Sequence, residues 1–252
     1  MNNKEKVVAL LNSLESGDPL PGAYINPNKY IQHNLAVGDG LAAFGALLQH
    51  KPAGGFKVKV VRVFEDGDYV FTHSEYDFFG PKIGFDIFRF EDGLIVEHWD
   101  NLQETMTVTK NGHSMTDGPT TPIGLEKTAE NKALVRGLYE VVVIGGHGDQ
   151  IANYISPQKY VQHNPGVADG LAGFGAAMAE MAQAGMGMEM RQLHMLLGEG
   201  DFVLGVTDGR FAGKGVTFYD LFRIEAGRVT EHWDVIEPLL PREQWQNANG
   251  KF

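Results

Sequence analysis

The chain has 252 residues, no cysteine, and a formal charge of −11 from 21 Lys and Arg against 32 Asp and Glu. The missing thiol excludes disulfides, thiolate metal sites and cysteine nucleophiles. The acidic balance, with no local Lys/Arg cluster to offset it, argues against nucleic acid or an anionic membrane surface as partner. Apolar content of 43% suffices for real cores, yet apolar runs such as Val141–Ile144 are far too short to span a bilayer. The opening Met1–Lys6 leads only into the short apolar stretch Val7–Leu11, so no secretory signal is expected, and the cytoplasm is the expected location.

Val7, Leu10, Leu11 and Leu14 recur at helical spacing and predict an amphipathic helix. Asn26-Pro27 reads as an N-cap with proline at the first helical position, as does Ser156-Pro157 in the second half, which would place Tyr30 and His33 on one helical face. Asp39 reads as the cap of a further helix carrying Leu41, Phe44 and Leu48. From Phe56 onward strict alternation replaces the helical period. Strands are predicted over 56–64, 69–78, 83–90 and 94–108, with turns at Glu65–Asp68 and Glu91–Gly93. A linker rich in Asn, Gly, Ser, Thr and Pro follows over 110–122.

The second half repeats this order, with strands over 188–197, 202–207, 216–224 and 229–236. Its residues repeat as well. Tyr30-Ile-Gln-His-Asn34 returns as Tyr160-Val-Gln-His-Asn164, and Asp39-Gly-Leu-Ala returns as Asp169-Gly-Leu-Ala. Asp86-Ile-Phe-Arg89 returns as Asp220-Leu-Phe-Arg223, and Glu97-His-Trp-Asp100 as Glu231-His-Trp-Asp234. An offset of about 130 residues is too long for a stacked solenoid and right for a doubled small domain. Helices followed by an antiparallel meander define an α+β module, so the expected domains are 1–109 and 123–252, joined by 110–122. Asn111-Gly-His-Ser-Met115 and Asn249-Gly-Lys-Phe252 form similar tails, each expected to fold back over its own module.

Asp86-x-Phe-Arg with Glu97-His-Trp-Asp, each found twice, resembles the SnoaL-like polyketide cyclases of the nuclear transport factor 2-like superfamily. The Tyr-x-Gln-His-Asn segment and the tail resemble a bacterial branch regarded as SnoaL-like aldol-condensation enzymes. The resemblance covers both modules. It implies two tandem cystatin-like α+β cones, each with helices packed on a curved antiparallel sheet and a pocket between the two. It also implies an intrachain pseudo-dimer of the modules, with a further homodimer open, and cofactor-free acid–base work by a histidine and an aspartate on neighbouring strands.

His73 and Asp86 sit at about the spacing such a pair would need. Alternation puts Asp86 beside Phe88 and Phe90, where an apolar pocket would raise a carboxyl pKa; the plain structural reading makes Asp86 a hydrogen-bonding organiser of the hairpin. In the second module Asp220 is kept but Val206 replaces the histidine, leaving His194 on the preceding strand as the available imidazole and two pockets of unequal competence. The expected substrate-binding set is Tyr30, His33, Phe88, His98 and Asp100, with Tyr160, His163, Phe222, His232 and Asp234 in the second module. Arg89 and Arg223 are expected to pair with Glu97 and Glu231. The methionines between Met178 and Met195 read as soft core packing rather than a binding surface, with the shaping of a roomy apolar pocket as the alternative. No His-x-His or His-x₃-His spacing puts two ligands on one element, so neither a metal nor another cofactor is expected. Two functions stay open: an enzyme acting on a small carbonyl compound, or a double cone that binds an apolar small molecule or a protein without turning it over.

Overall fold

The computed structural model describes residues 1–49 and 54–252, and the side chains of Leu47 and Leu48 lie outside the described residues. The chain forms two compact units, Met1–Glu104 with Leu240–Phe252, and Thr105–Leu239. In the first, α1 (Asn3–Ser16) starts at Asn2, whose side chain accepts from the Glu5 N–H while Glu5 accepts from the Asn2 N–H, a reciprocal cap. Its buried face, Val7, Leu10, Leu11 and Leu14, packs with Val70, Phe88, Phe90 and Ile95 of the sheet; each such leucine contributes about 2 kcal/mol of burial. After β1 (Ile31–Gln32) and α2 (Gly40–Gln49) come β2 (Lys57–Asp66), β3 (Tyr69–Asp77), β4 (Pro81–Glu91) and β5 (Leu94–Glu104). The sheet order is β1-β5-β4-β3-β2, antiparallel except for the β1–β5 pair.

The second unit follows the same plan. In it α3 (Thr128–Gly137) runs on into a π-helical turn, Leu138–Val143, before β6 (Val161–Gln162) and α4 (Gly170–Gln183). Strands β7 (Met188–Glu199), β8 (Phe202–Phe211), β9 (Lys214–Glu225) and β10 (Arg228–Pro238) complete a sheet of order β6-β10-β9-β8-β7. Val135, Leu138, Tyr139 and Val142 pack with Val203, Phe222, Ile224 and Val229 in its core. Each unit is thus an α+β domain with helices on an antiparallel sheet, as the sequence predicts.

Three local expectations are corrected. Asn26 and Ser156 do not open helices: their side chains accept from the backbone N–H two residues on, making turns ahead of Pro27 and Pro157. The Tyr30–Asn34 segment is strand, pairing Ile31 with Glu97 and Gln32 with His98, so its side chains alternate with period two. The tails also pack differently from expectation. Asn111 donates to the carbonyls of Asn164 and Val167 in the second unit, and Asn247 donates to those of Asn34 and Val37 in the first. The tail after each sheet therefore completes the unit that the other sheet belongs to.

Candidate active site

Register decides which side chains meet. Asp86 lies opposite Thr72 on one side and Asp100 on the other, and His98 lies opposite Phe88. Asp86, His98 and Asp100 therefore share the face that carries Phe88, with Gln32 arriving from β1. His98 Nε2 is 3.1 Å from Asp86 Oδ1, and its Nδ1 is 3.0 Å from Gln32 Oε1. That oxygen also accepts from the Asn34 N–H, so it is an acceptor and His98 Nδ1 must carry a hydrogen. The other Asp86 oxygen accepts from the Tyr76 hydroxyl and, at 3.4 Å, from Thr72. Asp100 accepts from Asn34 at 2.6 Å and from Lys251 Nζ at 3.4 Å.

The second unit builds the same core from Asp220, His232, Gln162, Asn164 and Asp234. His232 Nε2 is 3.0 Å from Asp220 Oδ1, and its Nδ1 donates over 3.1 Å to Gln162 Oε1; Gln162 also bonds the Tyr160 hydroxyl. Asn164 donates to Asp234 Oδ2 at 2.6 Å, while Asp234 Oδ1 is buried without a hydrogen-bond partner. The tyrosine on Asp220 comes from a different element: Tyr139 of the π-helical turn donates over 3.0 Å to Asp220 Oδ2. Room is made by Gly205, which lies opposite Asp220 where Thr72 lies opposite Asp86; a Cβ there would overlap the Tyr139 hydroxyl. Gly209 stands where the first unit has Tyr76.

The polar group forms part of the wall of a cavity of about 880 Å³ in the second unit. Tyr139, Tyr160, Asp220, Phe222, His232 and Asp234 all line it, and Phe222 stacks on His232 at 5.0 Å. Much of the remaining wall is apolar, including Met178, Met181, Met186, Met188 and Met190, so these methionines shape the cavity, the alternative the sequence left open, and Met190 also packs against the core. Burial raises the Asp234 pKa; the nearby Asp220 charge adds to this, and His232 and the Asn164 bond oppose it. Burial alone would lower His232, but its bond to Asp220 and the charges of Asp234 and Asp220 carry its pKa above the ordinary value. Tyr160 is held far above its usual range by burial and then by Asp220 and Asp234, so it stays a hydrogen-bond donor.

Not every expected residue joins this group. His73 is buried on the opposite face, bonded to Arg62 at 3.1 Å and stacked on Phe85, because Thr72 and not His73 lies opposite Asp86. The expected His73–Asp86 pair is therefore not formed. His194 is the extra residue at a bulge in β7 and bonds Asp208, on the face away from Asp220, so it brings no imidazole to that carboxylate. Tyr30 and Tyr160 meet the site, but His33 and His163 point the other way, each stacked on a tryptophan (Trp99, Trp233) and bonded to Glu97 or Glu231. Those glutamates also hold Arg89 and Arg223, as expected. Asp39 and Asp169 precede α2 and α4, but their carboxylates accept from the Gln32 and Gln162 N–H groups and so tie β1 and β6 to the helices. Gln32, Gln162, Tyr76, Tyr139 and Lys251 belong to the sites although sequence reasoning did not select them; the repeated Gln was visible in the Tyr-x-Gln-His-Asn motif.

Asp86, His98 and Asp100, and likewise Asp220, His232 and Asp234, each offer ligand atoms within 4.8 Å of one another, close enough for one divalent cation. Except for Asp234 Oδ1, the atoms facing one another are already engaged in hydrogen bonds, and in the first unit the Lys251 ammonium stands beside Asp100. No helix among the described residues is long and apolar enough to cross a membrane.

The chain matches no family model, and no curated protein matches it. Solved structures similar to it include TsrD from Streptomyces laurentii, at 18% identity over 41% of this chain and 91% of that one, TM-score 0.36. An LEH-like epoxide hydrolase from M. tuberculosis is similar at 24% identity over 40% of this chain and 81% of that one, TM-score 0.34. A protein of unknown function with a cystatin-like fold from Xanthomonas campestris is similar at 23% identity over 41% and 92%, TM-score 0.35. At that level the likeness bears on neither substrate nor activity.

Proposed function

We propose that the second unit is a cofactor-independent acid–base site that moves a proton next to the carbonyl of a small, largely apolar molecule, in an aldol-type condensation or cyclisation or in an isomerisation. One observation carries the reading: Asp234, one of whose carboxylate oxygens is buried with no hydrogen-bond partner, is among the residues that line a largely apolar cavity. A carboxyl whose proton affinity is raised by burial is suited to take a C–H proton and hold it. In that step the Asp234 carboxylate takes the α-proton, the C–H electrons pass into the enolate, and Asp234 becomes a carboxylic acid. The Tyr160 hydroxyl, which lines the same cavity and is kept protonated by burial, donates to the enolate oxygen. One such donor in a dry site contributes about 3 kcal/mol. The enolate carbon then attacks a second carbonyl, whose alkoxide takes the proton back from Asp234; in an isomerisation the proton returns to another carbon. Asp220 and Tyr139 keep the His232 ring in place and do not act on substrate.

The test is deuterium exchange at the α-carbon of small ketones and diketones in D₂O, followed by proton NMR. Exchange by the wild-type chain that falls at least ~100-fold in Asp234→Asn supports the reading. Exchange at the same rate in both chains refutes it.

A further inference from the structure

Around the Asp–His–Asp group the two units differ in one charged residue. In the first, His98 and Asp86 share one ionic proton: whichever of them holds it, the pair is neutral, because His98 Nδ1 already donates to Gln32. Lys251 neutralises the remaining carboxylate, Asp100. In the second unit His232 and Asp220 form the same neutral pair, with Nδ1 donating to Gln162. The tails superpose residue by residue through their contacts. Asn247 corresponds to Asn111, and the Gly250 carbonyl on His33 Nδ1 corresponds to the Ser114 carbonyl on His163 Nδ1. The next residue is Lys251 in one tail and Met115 in the other, and they are 6% and 3% exposed. The second unit therefore has no lysine at this place, and Asp234 Oδ1 has no partner.

We propose that the residue at this tail position sets the state of the second carboxylate: Lys251 locks Asp100 as an ion-paired carboxylate, whereas Met115 leaves Asp234 without a counter-charge and so able to take up and release a proton. Without a counter-charge, burial makes a carboxylate hold a proton more tightly than an ion-paired one does, so its two states come closer in energy. The charged and titratable groups around Asp234 agree with this. Asp220 and His232 face it from β9 and β10, Tyr160 and Tyr139 are neutral phenols, and at the cavity wall Lys110 is already paired with Glu180. Met115 is thus a positioning residue that acts through Asp234, and its effect on turnover rests on the proposed function. On that reading the second unit is the working site and the first is a charge-locked copy, the reverse of the inequality that His73 suggested.

The experiment is a ¹³C NMR titration of the Asp side-chain carboxyls in the wild-type full-length chain, Met115→Lys and Lys251→Met, with α-proton exchange measured on the same samples. Met115→Lys is expected to lower the Asp234 midpoint by about 1–3 pH units and to abolish exchange. Lys251→Met, which leaves the second unit untouched, is expected to raise the Asp100 midpoint relative to the wild-type chain and so tests the idea if Met115→Lys fails to fold. An Asp234 midpoint that neither lies above that of ordinary aspartate nor responds to Met115→Lys overturns the proposal. So does an Asp234 resonance that moves when a chelator, or Mg²⁺ or Zn²⁺ alone, is added, because a cation would then supply the charge. If the midpoints move as stated while no ketone exchanges, the charge assignment stands and the proposed reaction falls. If ketones exchange but Met115→Lys changes neither midpoint nor rate, the reaction stands and this assignment falls.

Discussion

Asp100→Asn and Asp234→Asn are the same isosteric change at matching sites, and the structure predicts opposite outcomes. In each carboxylate one oxygen accepts from an asparagine at 2.6 Å, a bond an amide oxygen can keep. The amide nitrogen then falls where the second oxygen was. In the first unit that places an N–H₂ against the Lys251 ammonium, whose attraction to Asp100 at 3.4 Å is about 5 kcal/mol at an effective dielectric of 20. After the solvation that the carboxylate no longer forgoes, a net loss of about 3 kcal/mol remains, on the order of 10 °C for a unit of this size. In the second unit the N–H₂ replaces an oxygen that has no partner. Because the native Asp234 pKa is raised, the wild-type unit loses stability as pH climbs from the ordinary aspartate value of 3.8 toward the native midpoint. The amide escapes that loss, so Asp234→Asn is neutral or stabilising at pH 8, by about 1.4 kcal/mol for each pH unit that separates the two midpoints. Urea denaturation at pH 5 and pH 8, with amide hydrogen exchange to assign the units, measures both. Equal costs for the two substitutions would show that Lys251 is not the counter-charge and would refute the reasoning.

The second unit's ion-pair cluster makes a separate prediction. Burial alone would raise Glu231, but its bonds to His163 and Arg223 lower its pKa below the ordinary 4.5. Its contribution is therefore present above that value and lost as pH falls through the native midpoint; Glu231→Gln should cost about 3 kcal/mol at pH 7, with the gap to wild type closing in acid denaturation curves. Gly205→Ala should displace the Tyr139 hydroxyl from Asp220. We expect a loss of about 1–3 kcal/mol in urea melts together with slower α-proton exchange, whereas Thr72→Ala in the first unit should leave exchange unchanged.

Much of the site was legible in the sequence wherever alternation runs through long strands. Asp86, His98 and Asp100 share a face because β4 and β5 pair without a break there, and Arg89 meets Glu97 across the same hairpin. His73 failed the same logic by one position. The β3–β4 register sets Thr72 opposite Asp86, and a shift of one residue sends a side chain to the other face. The Tyr30–Asn34 segment was misread because its strand is only two residues long and pairs in parallel with a strand far along the chain. No local period marks such a segment. Lys251 and Tyr139 were invisible for a related reason. Lys251 reaches Asp100 from 151 residues away, and Tyr139 does from a helix what Tyr76 does from a strand.

The claim that Asp234 is the group that moves the proton is tested most directly by comparing α-proton exchange rates of the wild-type chain, Asp234→Asn and Asp100→Asn on the compound that exchanges fastest. These are measured at a temperature where amide hydrogen exchange shows all three folded. The structure predicts a loss of at least ~100-fold in Asp234→Asn and a rate within about twofold of wild type in Asp100→Asn, because its carboxylate is already held by Lys251. A comparable loss in both chains, or a loss only in Asp100→Asn, would contradict it.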